Sequence, residues 1–130
     1  MDLLPFDPTG VPPPSTRTYA WGSLASPDRW SRITTREDGR MIVAGTTGLR
    51  TWQASVSIAN HLIARPDALA LRSPGAPVLE LGAGAGLLSL VCGRLMDQGV
   101  GGDRGRKVLA TDVDEGVLLN LRANVERSEL

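Results

Sequence analysis

The chain has 130 residues, a length that by the usual allowance of ~100–200 residues per domain fits one domain or part of a larger one. Fourteen Lys plus Arg balance fourteen Asp plus Glu, and zero formal charge argues against a strong field drawing nucleic acid, leaving room only for a local patch. One cysteine excludes an intramolecular disulfide, no apolar run approaches the ~18–20 residues of a membrane span, and an N-terminus carrying Asp2 and Asp7 is unlike a secretory signal. The expectation is a soluble, cytoplasmic protein with no membrane partner.

Five of the nine prolines fall within residues 1–14, where fixed φ and missing amide donors disfavour helix and central strand. Residues 1–28 are read as a Pro-rich lead-in and 29–130 as the folded part. Residues 29–35 and 40–44, β-branched and apolar around Glu37, Asp38 and Gly39, predict a β-hairpin. Thr51 is placed to cap a helix in which Trp52, Val56, Ala59 and Ile63 recur at helical spacing until Pro66 stops it. His61, the only histidine, falls opposite Trp52 on the solvated side.

All five aromatic residues precede position 53, so the later core is aliphatic, as in a layered α/β domain with a buried parallel sheet. Residues 77–81 read as a buried strand that runs into Gly82-Ala83-Gly84-Ala85-Gly86 and then an apolar helix from Leu87. Residues 107–111 give a second strand ending at Asp112, and 114–127 a second helix with Val117, Leu118, Leu121 and Val125 inward. Asp114 suits the N-cap or first turn of that helix. Strand, helix, strand, helix is the opening of a doubly wound sheet. The predicted fold is therefore α/β, an incomplete Rossmann-like parallel sheet of two core strands and their helices, preceded by a hairpin and a pre-core helix.

Glycines at a strand-to-helix turn permit tight curvature and let a ligand lie against bare backbone, while amides at the helix start favour an anionic group. An acidic side chain past the end of the next strand, here Asp112, can accept hydrogen bonds from a ribose diol. The glycines alone would equally suit a tight loop without a ligand; joined to the strand, the helix and Asp112 they favour a nucleotide-type cofactor. Cys92, between Val91 and Leu95 on the first core helix, reads as a small buried hydrophobe, and no ligand cluster marks a metal site.

The spacing Glu80-x-Gly82-x-Gly84-x-Gly86 resembles motif I of the class I, seven-strand S-adenosylmethionine-dependent methyltransferases. A second stretch, Gly45-Thr-Thr-Gly-Leu-Arg-Thr-Trp52-Gln-Ala-Ser, resembles lysine methyltransferase family 16, most closely its elongation factor 2 lysine methyltransferases. The likeness covers about residues 40–127. It implies S-adenosyl-L-methionine as cofactor, its methionine carboxylate at Gly82, Ala83, Gly84 and Gly86 and its ribose at Asp112. Trp52 is implied as a cofactor contact, alongside a plain role anchoring its helix, and Glu80 is implied to act indirectly by ordering the turn or a water. The partner implied is a protein substrate, a translation elongation factor, methylated on lysine.

The same resemblance implies seven core strands and an acidic-x-x-tyrosine motif after the fourth, whereas two core strands and no such motif are legible here. The expectation is a truncated chain carrying the cofactor half, with no catalytic residue assigned, and one prone to aggregate alone because an edge and an apolar helix face stay open. A non-enzymatic cofactor-binding remnant and a methyltransferase for another substrate stand as alternatives.

Overall fold

The computed structural model describes residues 10, 13–38, 45–69, 76–99 and 106–130; the predicted strand at 40–44 lies outside them. Strand β1 (Ser15–Trp21) pairs antiparallel with β2 (Ser31–Glu37), from Ser15 opposite Glu37 to Trp21 opposite Ser31. The strand expected over 29–35 thus finds its partner inside the stretch read as a lead-in. Past the proline cluster, Thr16, Thr18, Tyr19 and Trp21 are β-branched or aromatic residues that suit a pleated surface. Along β2 side chains alternate, with Ile33, Thr35 and Glu37 buried and Arg32 and Arg36 exposed.

Helix α1 (Gln53–Ala64) starts one residue later than a cap at Thr51 would place it. Its N-cap is Trp52, and the Thr51 hydroxyl donates instead to Glu37 Oε1 at 2.7 Å, an ionised acceptor that outcompetes a helix-end amide. Ala59 is buried and Val56 and Ile63 are half-buried, but Trp52, expected on that inner face, is 55% exposed. His61 is exposed.

Strands β3 (Val78–Leu81) and β4 (Val108–Thr111) run parallel in register, Val78 beside Val108 and Leu81 beside Thr111, with α2 (Leu87–Asp97) between them in the chain and α3 (Glu115–Arg127) after them. Helix α2 continues through Gly93 and is the centre of the core: Leu87, Leu90, Val91, Cys92, Leu95 and Met96 are all buried, and α1, β2 and β4 pack around it. On the other face of the parallel pair Leu79, Leu81 and Leu109 are exposed. Among the described residues no helix is long and apolar enough to cross a membrane.

Helix α3 begins at Asp114, whose Oδ1 accepts from the Val117 amide at 2.9 Å. Val117 and Leu121 are buried and Val125 half-buried; Leu118, expected inward, is 36% exposed because it lines an open groove with Leu121, Val125 and the β4 residues Val108 and Ala110, and a separate, polar stripe of the helix also packs inward. Asn120, Asn124 and Ser128, spaced by four, lie along the edge of β2 that β1 leaves unpaired. The Ser128 hydroxyl accepts from the Thr34 amide and donates to the Thr34 carbonyl, both at 3.2 Å. Asn124 Oδ1 accepts from the Arg36 amide at 2.8 Å, and the Asn120 and Asn124 amides donate to the Arg36 carbonyl at 3.1 and 3.4 Å. Asn124 Nδ2 also donates to the Ala85 carbonyl at 2.9 Å.

Asn124→Ala leaves the buried Ala85 carbonyl and the partly buried Arg36 amide without this partner, so urea unfolding should show a loss on the order of 1–3 kcal/mol. A loss below about 0.5 kcal/mol, the scale of an ordinary surface substitution, would contradict that role. For Cys92, burial and then the nearby Glu80 charge push the thiol up to about 11. At pH 8 about one thiol in a thousand is then ionised, so a disulfide reagent should label Cys92 slowly until denaturant is added. Rapid labelling of the native chain would show the site to be open.

Candidate functional site

The turn after β3 is built from three glycines in the left-handed region, Gly82, Gly84 and Gly86, with φ of +67°, +57° and +89°. Each leaves a different space. A β-carbon on Gly86 would lie 2.0 Å from Cδ1 of buried Leu121, and one on Gly84 would lie 3.1 Å from the Gly48 carbonyl oxygen. At Gly82 it would meet nothing within 4 Å. Gly86 therefore lets α3 close over the start of α2, Gly84 lets the loop before α1 lie on the turn, and Gly82 leaves bare backbone beside open space.

Hydrogen bonds fix the turn against the end of β4. The Ala83 amide donates to the Thr111 carbonyl at 2.8 Å, the Gly84 amide to Asp112 Oδ2 at 3.1 Å, and the Gly86 amide to the Ala83 carbonyl at 2.9 Å. These three amides hold the turn's shape rather than standing free for a ligand. Asp112 Oδ1 accepts the Asp114 amide at 3.2 Å. A carboxylate offers about four lone-pair sites, so half-buried Asp112 keeps acceptor capacity beyond these two backbone bonds.

Across from the turn stands the loop that leads into α1. The indole Nε1 of Trp52 donates to the Thr47 carbonyl at 3.4 Å, closing the loop on itself. Loop, turn and β4 end enclose a cleft of about 280 Å³. Trp52, Gly82, Ala83, Gly84, Gly86 and Asp112 all line it, so six of the seven residues singled out in the sequence converge on one space.

Glu80 is the seventh and does not line the cleft. Its carboxylate accepts from the Ser89 hydroxyl on α2, bridging the strand before the turn to the helix after it. Burial pushes the Glu80 carboxyl up, and the Ser89 hydrogen bonds only partly offset this. Its geometry is that of a brace behind the turn. Thr47, Gly48, Arg50, Thr51 and Ser55 also line the cleft and were not among the candidate site residues. Their placement depends on bringing residues 45–55 against 82–86, which no local spacing encodes.

A family model described as lysine methyltransferase matches residues 31–130, from the start of β2 onward. The chain belongs to the lysine methyltransferase family. It is 37% identical over 93 residues to the protein-lysine N-methyltransferase EEF2KMT of Homo sapiens, covering 72% of this chain and 25% of that protein. The EEF2KMT of Bos taurus is 36% identical over 93 residues, 72% of this chain and 24% of the relative. The protein N-terminal and lysine N-methyltransferase EFM7 of Cryptococcus neoformans var. neoformans serotype D is 40% identical over 80 residues, 61% of this chain and 23% of the relative. The chain spans about a quarter of the length of the curated relatives it matches.

The glycines give a graded stability prediction. Gly82→Ala costs only the left-handed backbone, about 1–3 kcal/mol, because its methyl enters open space. Gly86→Ala adds a collision with Leu121 and should be the more destabilising of the two in denaturant unfolding. Equal losses, or a harmless Gly86→Ala, would show that this packing is not tight.

Proposed function

We propose that residues 29–130 form the S-adenosyl-L-methionine-binding half of a cytosolic protein-lysine N-methyltransferase, with elongation factor 2 as the protein substrate. The observation that carries this reading is the convergence of Asp112, the glycine turn and the Trp52 loop on one cleft within the span matched by the family model. The elongation-factor assignment is supported by the segment Gly45–Trp52 and by relatives named protein-lysine N-methyltransferases.

The cleft fits such a cofactor. Gly82 offers bare backbone with no neighbour where a side chain would stand, which suits close approach by the methionine part. Asp112 retains acceptor capacity for a ribose diol at the end of β4. Trp52, more than half exposed at the cleft wall, has apolar surface to cover an adenosyl group and exclude water. Ala83, Gly84 and Gly86 shape the turn, and Glu80 braces it from behind.

When bound, the sulfonium supplies an already activated methyl group. The work of this chain's residues is then to hold and orient the donor, and positioning is a large part of rate enhancement in such transfers. A free lysine amine has a reference pKa of ~10.4, so the enzyme must also favour the uncharged amine. No residue of this chain is assigned to that step.

Calorimetric titration with S-adenosylhomocysteine tests the reading. Wild type should bind, and Asp112→Ala should bind at least tenfold more weakly, since a hydrogen bond to a charged group contributes about 1.5–3 kcal/mol and 1.4 kcal/mol is tenfold. Absence of heat at millimolar ligand, in protein shown to be folded, would overturn the cofactor assignment.

A further inference from the structure

Glu37 closes β2 and is only 4% exposed, yet its carboxylate draws donors from three separate segments. Thr35 Oγ1 on its own strand donates at 2.9 Å, and the Tyr19 hydroxyl on β1 at 3.2 Å. From the loop before α1, the Thr51 hydroxyl donates at 2.7 Å and the Thr51 amide at 3.4 Å. Arg17 places its guanidinium 3.7 Å away. The following residue adds a bond to the same loop, the Asp38 amide donating to the Leu49 carbonyl at 2.8 Å.

That loop is a wall of the cleft. Thr51 and Trp52 line it, and the Gly48 carbonyl lies against the glycine turn, 3.1 Å from where a Gly84 side chain would begin. The loop is thereby held between the end of β2 on one side and the turn on the other. Glu37 itself does not line the cleft. Burial pushes its carboxyl up, but the hydrogen bonds from Thr51 and Thr35 and the Arg17 charge outweigh that and hold it below the ordinary glutamate range. At neutral pH it is ionised and accepts only, matching the donors around it. A buried carboxylate costs stability unless it is satisfied this fully, so removing its charge releases the very segment that satisfies it.

We propose that Glu37 is a positioning residue of the cofactor cleft, its carboxylate fixing the Leu49–Trp52 wall so that cofactor affinity depends on a residue outside the cleft. The link to affinity rests on the cofactor reading given above; the fixing of the wall stands independently of it.

Hydrogen exchange followed by mass spectrometry on the 130-residue chain tests the first half, comparing wild type with Glu37→Gln, Thr51→Val and a control, Thr18→Val. The control removes an exposed hydroxyl contact to Thr34 on the same hairpin. Glu37→Gln and Thr51→Val should each speed exchange in residues 45–55 at least tenfold, leaving α2 and α3 and the control unchanged. Unchanged exchange in 45–55, or equal loosening of α2 and α3, would overturn the proposal. Thr51→Val decides the matter if Glu37→Gln fails to fold.

Titration with S-adenosylhomocysteine tests the second half. Both single variants should weaken binding about tenfold, and the double variant no more than the weaker single, because both act through one contact. Binding by wild type with no change in Glu37→Gln would break the link between wall and affinity. A wild type that shows local fixing of the loop but no binding would instead overturn the cofactor reading, and the affinity claim with it.

Discussion

Among the described residues strand β2 has one strand partner, β1, and the way its other edge is satisfied ties the hairpin to the helix and turn beside the cleft. An edge laid against a helix leaves amides and carbonyls partly shielded from water, and each left unpaired there would cost free energy. Helix α3 meets this with Asn120, Asn124 and Ser128, four residues apart and hence on one face, which pair with the backbone of Thr34 and Arg36. Asn124 then reaches one step further, to the Ala85 carbonyl inside the glycine turn. A single buried amide thus relates hairpin, helix and turn, and the contact of Leu121 with Gly86 falls into place beside it.

The same economy of parts appears around the cleft. Gly84 gives its amide to Asp112 and its missing side chain to Gly48, so one residue joins the end of β4 to the loop before α1. Glu80 bridges β3 to α2 across the turn, and Glu37 bridges β2 to the opposite wall. Both carboxylates lie behind the lining rather than in it. Their net tendencies differ for a physical reason: against its burial Glu80 has only the hydroxyl and amide of one residue, Ser89, whereas Glu37 has donors from several residues and a nearby cation.

What was legible in the sequence was whatever is written locally. Periodicity and glycine spacing gave β3, the turn, α2, β4 and α3, and the Asp114 cap, because each depends on residues within a few positions of one another. Five of the six singled-out residues that line the cleft, Gly82, Ala83, Gly84, Gly86 and Asp112, lie in the turn or just past a strand end, which are local features, whereas Trp52 was marked by the family resemblance. The pairing of β1 with β2 was hidden by reading the proline-rich composition of residues 1–14 onward into 15–21. Thr51 looked like a cap because Thr before an apolar helix usually is one; a buried carboxylate fourteen positions earlier redirects its hydroxyl. The polar stripe of α3 escaped notice because an amphipathic wheel counts Asn and Ser as solvent-facing, and only tertiary context makes them edge partners.

The internal bonding of the turn also bears on how the proposed cofactor would be held. Were the amides of Ala83, Gly84 and Gly86 unpaired, the turn would be free to adjust and a ligand would have to order it. Here they are satisfied by Thr111, Asp112 and the turn itself, so its left-handed glycines are set before anything binds. The contribution of this segment to the proposed cofactor site would then be shape and access at Gly82 rather than a nest of vacant donors, with the remaining lone pairs of Asp112 open to the cleft. That division places the demand for stability on the brace at Glu80 and the wall contact at Glu37, two carboxylates that stand outside the cleft lining.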